Sequence, residues 1–202
     1  MGGDGGQAFP VYVAVIAGLL FLAFAYFLVG QAAFTRNSAQ TAADAAALAA
    51  AQDVRDQLRE GWLEVIRDPD QWDDLLEGKV YDEDAACLRA ADFAALNEAT
   101  LPGEKCELLD PLGFRVTVTT TGSEPQDATA SAEAVIEPHC GFTAQEPSSE
   151  PTPTPTTTED PEEEEGGPIT GLVCDGAPWE IDPEDPTTLP SAVELFTVRL
   201  SE

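Results

Sequence analysis

The chain has 202 residues, four cysteines and a formal net charge of −29 at pH 7. Its 38 acidic residues against 9 basic residues exclude binding of nucleic acid or anionic lipid through the bulk charge of the molecule. The length allows one modest domain in addition to any membrane anchor.

Residues 8–29 form an apolar run without a charged side chain. As a helix this run is about 33 Å long, which matches the hydrocarbon core of a bilayer. Tyr12 and Tyr26 lie near its two ends, where amphipathic rings favour the headgroup level. We predict a transmembrane helix preceded by a short Gly-rich leader or cytoplasmic stub at 1–7. A cleaved secretory signal is the alternative, but no Lys or Arg precedes the run and it exceeds the usual apolar length of such signals.

The alanine-rich stretch that follows contains neither Gly nor Pro between residues 31 and 60. Since alanine is the best helix former, we expect the helix to continue beyond the membrane to about Glu60, with or without a break at Gly30. Steps of three, four and seven residues place apolar side chains on one stripe. Within the membrane, a small-xxx-small pair is a signal for helix association. The candidate helix-packing residues are Ala14, Gly18, Ala43, Ala46, Ala50 and Val54.

Two shorter helices are expected next. Asp68 and Pro69 have the pattern of an N-cap followed by Pro in the first turn, and Gly78 is typical of a helix end. Asp82 is a second N-cap candidate, for a helix that continues to about Glu98. The apolar side of this second helix is predicted to consist of Ala85, Leu88, Ala95 and Leu96.

Period-two alternation of apolar and polar residues begins at Phe114 and predicts a strand over 114–120. A second alternating stretch, 128–136, predicts the partner strand of a β-hairpin whose small-residue face lies on the alanine-rich helix. Residues 193–200 alternate again and predict a third strand that returns to the hairpin. The expected fold class is therefore α+β, with a long N-terminal helix, short helices and a small antiparallel β-sheet.

Residues 143–168 differ in kind from the rest of the chain. They contain six Pro, six Thr and eight acidic residues, and no Val, Ile, Leu or aromatic residue. Such a composition cannot bury enough surface to offset the entropy of ordering, so we predict a disordered acidic linker. The expected division is a leader (1–7), a transmembrane helix (8–29), an α+β domain (30–142), the linker (143–168) and a C-terminal segment with a returning strand (169–202).

The cysteines at positions 87, 106, 140 and 174 all follow the apolar run, and none belongs to a CxxC pair. An even number in a translocated domain suggests disulfide bonds, and four cysteines allow three pairings. We prefer Cys87 with Cys106 and Cys140 with Cys174, because each pair joins neighbours along the chain. Free thiols in a reducing compartment are the alternative. The pairs and the Pro/Thr segment favour an external location, whereas Arg36 near the membrane weakly favours a cytoplasmic one.

The sequence contains no set of residues that points to catalysis. His139 is the only histidine, and there is no GxSxG, HExxH, GxGxxG or GxxxxGK[ST] motif. The acidic clusters Asp73–Asp74, Asp82–Asp84 and Glu162–Glu165 do not match the calcium-binding EF-hand loop. We therefore predict no enzymatic activity, no metal or cofactor, and no small-molecule substrate.

Two segments of sequence resemble a known family. GQAFPVYVAVIAGLL leads into the membrane run, and QTAADAAALAAAQD follows it at Gln40–Asp53. Over residues 5–55 the chain resembles the TadE/TadG-like proteins of the Flp (tight-adherence) pilus assembly system, most of all the short actinobacterial TadG-related form. The resemblance implies a structural or minor-pilin role in a cell membrane, with the N-terminus cytoplasmic and the C-terminal domain outside.

The partners that the resemblance implies are other membrane proteins of a pilus or secretion system, contacted through the transmembrane and alanine-rich helix. A second hypothesis is a membrane-anchored extracellular sensor or binding module, whose acidic domain captures cations, basic peptides or wall polymers. The first hypothesis depends on the small-residue positions of the helix, and the second on the acidic side chains.

Overall fold

The computed structural model describes residues 8–103, 105–121, 127–143 and 167–201. The predicted leader at 1–7 and nearly all of the predicted disordered linker lie outside these ranges. The described residues combine a long helix, shorter helices and two small antiparallel sheets, so the α+β fold class is confirmed.

The first helix, α1 (Ala8–Glu64), runs through the membrane segment and the alanine-rich segment as one element of 57 residues. It does not break at Gly30, and at 1.5 Å per residue it is about 86 Å long. The first half of α1 is exposed as far as Phe34, and Thr35 is the first buried residue along the helix. The other described elements are assembled around the second half of this helix.

A 3₁₀ turn (Pro69–Gln71) and α2 (Trp72–Leu76) follow α1 and end before Gly78, which has a φ of +73° that favours glycine. Asp68 precedes this turn as expected, but its side chain makes no capping hydrogen bond. The N-cap of α3 (Glu83–Leu96) is Asp82, whose side chain accepts a hydrogen bond from the Ala85 backbone N–H at 3.0 Å.

The predicted inner face of α3 is wrong. The buried residues are Ala86, Ala90 and Ala94, while Leu88 and Leu96 are exposed. The reason is the partner: α3 packs against the alanine-rich part of α1, and small side chains let two helices approach closely. The larger leucine side chains therefore point away from α1.

The first sheet contains β1 (Ala99–Thr100), β2 (Cys106–Leu109), β3 (Gly113–Thr120), β4 (Thr129–Pro138) and β8 (Phe196–Leu200). Its order is β1-β3-β4-β8, with β2 also paired to β3. The predicted hairpin is β3 with β4, in a register that pairs Val116 with Ala132. The returning strand is β8, which pairs antiparallel with β4. The inner face of the hairpin packs on α1, as predicted, through Phe114, Val116, Val118, Ala132, Ala134 and Ile136.

The second sheet was not predicted. It consists of β5 (Cys140–Phe142), β6 (Ile169–Cys174) and β7 (Ala177–Ile181), in that order. The predicted strand over 193–200 begins instead with a short helix, α4 (Ala192–Leu195). This helix forms because the Glu194 carboxylate accepts a hydrogen bond from the Ser191 backbone N–H at 2.7 Å, which satisfies a donor at the helix start.

Residues from both sides of the acidic segment share one hydrophobic core. Trp62 and Trp72 pack together with ring centroids 5.1 Å apart, and Phe142 lies 5.2 Å from Trp72. Leu172 and Phe196 from the C-terminal part belong to the same buried cluster. The C-terminal segment is therefore folded onto the domain that precedes the acidic residues.

Candidate membrane segment and assembly surface

The first half of α1 is an apolar helix that no other described part of the chain covers. Its large side chains are exposed from Phe9 to Phe34, including those of Leu20 and Tyr26. The 26 residues from 9 to 34 extend about 39 Å, against about 30 Å for a bilayer core. Among the described residues this is the one helix that is long and apolar enough to cross a membrane.

The head, by which we mean the described residues from Thr35 to Ser201, begins close to the end of the apolar run. Only residues 30–34 separate Val29 from Thr35, and they add about 8 Å of helix. A bilayer has a polar layer of several ångströms on each side of its hydrocarbon core. A helix that crosses the membrane through residues 8–29 therefore holds the head against the headgroup layer.

The candidate helix-packing residues fall into two groups. Ala14 and Gly18 are exposed in the apolar half, and a Cβ added to Gly18 would meet no atom within 4 Å. Ala43, Ala46 and Ala50, together with Val54, are fully buried. The second group is covered by α3 and the sheet, so in the folded chain these small side chains pack against other elements of the same chain.

Sequence reasoning missed how much of the alanine-rich helix is enclosed. Ala42, Ala47, Ala49 and Ala51 are buried as well, so α1 is packed on more than one stripe. The signal was present, because alanine occupies nearly every position of that stretch rather than one helical face. A helix that is apolar on all sides is typically buried on all sides.

Disulfide bonds join Cys87 to Cys106 and Cys140 to Cys174. These are the two pairings that proximity along the chain favoured. The first bond ties α3 to β2. The second joins β5 to β6, where the two cysteines are directly paired in the sheet.

His139 lies between β4 and β5, and both of its ring nitrogens have partners. Nδ1 is 2.7 Å from the Asp175 carboxylate, and Nε2 is 2.5 Å from the Thr197 hydroxyl. Because a carboxylate only accepts, Nδ1 donates to Asp175, and the Thr197 hydroxyl shares a hydrogen bond with Nε2. The imidazole thus links β8 of the first sheet to the β6–β7 turn of the second.

Two of the three acidic clusters lie within the described residues, one on the surface and one at a helix start. Asp74 lies 3.2 Å from Lys79, and Asp82 caps α3. Within the described ranges, no three His, Cys, Asp or Glu side chains are placed to hold a metal ion together. The cluster Glu162–Glu165 lies outside the described residues.

Two ion pairs lie on the outer face of the first sheet. Arg115 is 2.6 Å from Glu133, and its hydrogen bond lowers the pKa of the Glu133 carboxyl. Arg199 of β8 pairs with Glu137 of β4 and likewise lowers the pKa of that carboxyl. Cross-strand pairs of this kind fix the register of neighbouring strands on an exposed face.

Residues 6–53 match the family model described as "Putative Flp pilus-assembly TadE/G-like". The match includes the apolar half of α1 and most of its alanine-rich half. The N-terminal part of the chain is therefore TadE/TadG-like, and the resemblance seen over residues 5–55 is confirmed. No curated protein and no solved structure matches the chain.

Proposed function

We propose that this chain is a non-enzymatic, single-span component of an Flp-type pilus assembly or secretion system, either a minor-pilin-like subunit or an assembly factor. The observation that supports the proposal is the division of α1. Its uncovered apolar half lies within the family match, and its other half is the central element of a folded head.

In this proposal the N-terminus is cytoplasmic and the head is outside the membrane. The two disulfide bonds support this orientation, because such bonds persist in oxidising compartments. The alternative orientation would place both bonds in a reducing cytoplasm. Arg36 is the single basic residue close to the membrane segment, and by the positive-inside rule it favours a cytoplasmic head. One arginine is weaker evidence about orientation than two disulfide bonds.

The proposed contact with other membrane proteins is the face of α1 that contains Ala14 and Gly18. Small residues four positions apart allow a second transmembrane helix to approach the backbone. Since α1 is continuous, any tilt that such a partner imposes on the membrane segment is transmitted to the head without a hinge. The partner contact therefore also sets how the head is presented at the surface.

Deletion and complementation test the proposal. Loss of the chain should abolish or strongly reduce surface Flp pili, counted by electron microscopy, and the native chain should restore them. The Gly18→Leu variant should fail to restore them, because leucine fills the proposed contact. Ala23→Leu is the matched control, since residue 23 is on the opposite side of the helix from Ala14. Normal piliation without the chain would refute the pilus role and favour the anchored binding module.

A further inference from the structure

A groove lies between α3 and β2 on the outside of the head. It has a volume of about 860 Å³ and is bridged by the Cys87–Cys106 disulfide. Its apolar lining includes Leu88, which is 69% exposed, and Leu101. An occupant of the groove would remove this apolar surface from water, which favours binding.

One wall of the groove is the open edge of a strand. The Thr117 backbone N–H donates to the Lys105 C=O at 2.9 Å, and alternate residues of an antiparallel pair share the same hydrogen-bonding role. Glu107 therefore bonds to β3, whereas the backbone groups of Cys106 and Leu108 point away from it. No described residue pairs with β2 on that side.

The rim of the groove is acidic. Glu83 and Asp84 line it from the first turn of α3, and Glu107 lines it from β2. Arg115 lies 3.7 Å from Glu107 but makes its shorter contact with Glu133, so it compensates only part of this charge. The groove thus combines an apolar floor, an unpaired strand edge and three carboxylates.

We propose that this groove binds an extended, basic segment of a partner protein, which adds to β2 as a further strand. Strand addition supplies main-chain hydrogen bonds, and alternate side chains supply specificity. Here the apolar side chains of the segment would contact Leu88, and its Lys or Arg side chains would face the carboxylates. The dimensions agree: the nine residues 83–91 of α3 extend about 13 Å, which is the length of about four strand residues.

The occupant comes from a different protein because this chain is too acidic to supply it. Residues 143–168 contain eight acidic and no basic side chains, so the carboxylates of the groove repel them. A second copy brings 38 acidic and 9 basic residues. Charge complementarity therefore selects a basic partner protein. This partner is distinct from the membrane helix proposed to contact α1.

The test uses the full chain in detergent micelles and a fluorescein-labelled peptide, Lys-Val-Lys-Val-Lys-Val-Lys, followed by fluorescence anisotropy. Leu88→Lys should weaken binding by about tenfold or more, since it removes the apolar contact and reverses the local charge. Leu96→Lys is the matched control, because Leu96 is on the same helix, is 76% exposed and does not line the groove. Its affinity should stay within about twofold of the native chain.

Two further probes separate strand addition from bulk charge. Lys-Gly-Lys-Gly-Lys-Gly-Lys keeps the charge but lacks the apolar side chains, and should bind about tenfold more weakly. N-methylation of alternate residues removes the N–H groups on one edge of the probe, and one of the two alternate patterns should abolish binding. Binding by both methylated probes would overturn strand addition.

Other results would overturn the groove itself. Equal binding of the glycine probe, or equal weakening by Leu88→Lys and Leu96→Lys, would show that only the overall charge of the head attracts the peptide. Loss of binding on replacing Glu162–Glu165 by Gln, with native affinity in Leu88→Lys, would assign the peptide to the acidic segment. Each result is independent of whether the chain supports piliation.

Discussion

Two buried indoles at one end of the core differ in a single hydrogen bond. Trp62 and Trp72 are both fully buried and in mutual contact. The Trp72 Nε1–H donates to the Val65 C=O at 3.0 Å, whereas Trp62 Nε1 has no acceptor among the described residues. A buried donor without a partner costs about 1–3 kcal/mol, so the two rings contribute differently to stability although they fill similar volumes.

The Trp62→Phe variant should accordingly be less destabilising than Trp72→Phe. Both variants lose ring contacts. Trp62→Phe also removes a buried N–H donor that has no acceptor, while Trp72→Phe loses a hydrogen bond worth about 1 kcal/mol. Urea unfolding of the full chain in micelles, followed by circular dichroism, measures the difference. The opposite order would mean that Trp62 Nε1 has a partner, such as an ordered water, that compensates its burial.

Glu133 offers a test of the surface electrostatics by pH. Its pKa is lowered chiefly by the hydrogen bond from Arg115 and then by that from Ser201. A carboxyl whose folded pKa is depressed stabilises the protein fully above its ordinary value of 4.5, and this contribution disappears as the pH falls through the lower folded value.

Arg115→Gln should therefore return the pKa of Glu133 toward 4.5 and make the loss of melting temperature below that pH less steep. Carbon NMR of the carboxyl measures the first effect, and thermal unfolding across acidic pH measures the second. Lys105→Gln is the control, since no ion pair of Lys105 is found within the described ranges. An unchanged Glu133 titration would assign the shift to Ser201.

At the scale of the elements, the contact between α1 and α3 depends on alanine. Periodicity alone assigns the largest apolar side chains to the inside, and this rule placed Leu88 and Leu96 in the core. The rule failed because the opposing surface of α1 is itself made of alanine, so the face that fits closest is Ala86, Ala90 and Ala94. The better guide was the four-residue spacing of alanines on both helices.

Ala90→Leu should destabilise the head by about 1–3 kcal/mol, because the larger side chain has no room between α1 and α3. Ala95→Leu, on the exposed side of α3, should be close to neutral, since leucine and alanine have similar helix propensities. Urea unfolding of both variants measures the effect. If Ala90→Leu folded normally but lost a binding partner instead, the alanine face would be a surface for association after all.

Strong local patterns made the long helix, the β3–β4 hairpin and the returning strand predictable. The second sheet was not predictable, because it depends on pairing between residues distant in sequence and on backbone conformations with positive φ, which mainly glycine adopts. Gly171 and Gly176 have φ values of +108° and +79°, which interrupt the alternation that marks a strand. The Cys140–Cys174 bond was predicted, but not the strand pairing of β5 with β6 that it joins. The groove beside β2 exists only once α3 is in place.

The whole molecule has a membrane end and a distal end. Gln40 donates to the Ser131 C=O at 3.4 Å and Phe142 packs on Trp72, so β4 and β5 run alongside α1 away from the apolar segment. The Thr143 N–H donates to the Gly171 C=O at 2.8 Å. Thr143, the last described residue before the acidic segment, thus lies beside β6 at the end of the head opposite the apolar run.

The proposed orientation predicts how the cysteines react in intact cells. A membrane-impermeant maleimide should label the native chain only after reduction, because all four thiols are in disulfides and on the outer side of the membrane. Mass spectrometry of the recovered chain measures the labelling. In a Gln7→Cys variant, the added thiol precedes α1 and should react only after lysis, whereas the thiol of Thr187→Cys, exposed on the head, should react at once. Labelling of the native cysteines only after lysis, without reduction, would place the head in the cytoplasm. The family match would then describe a protein whose head meets its partners on the inner side of the membrane.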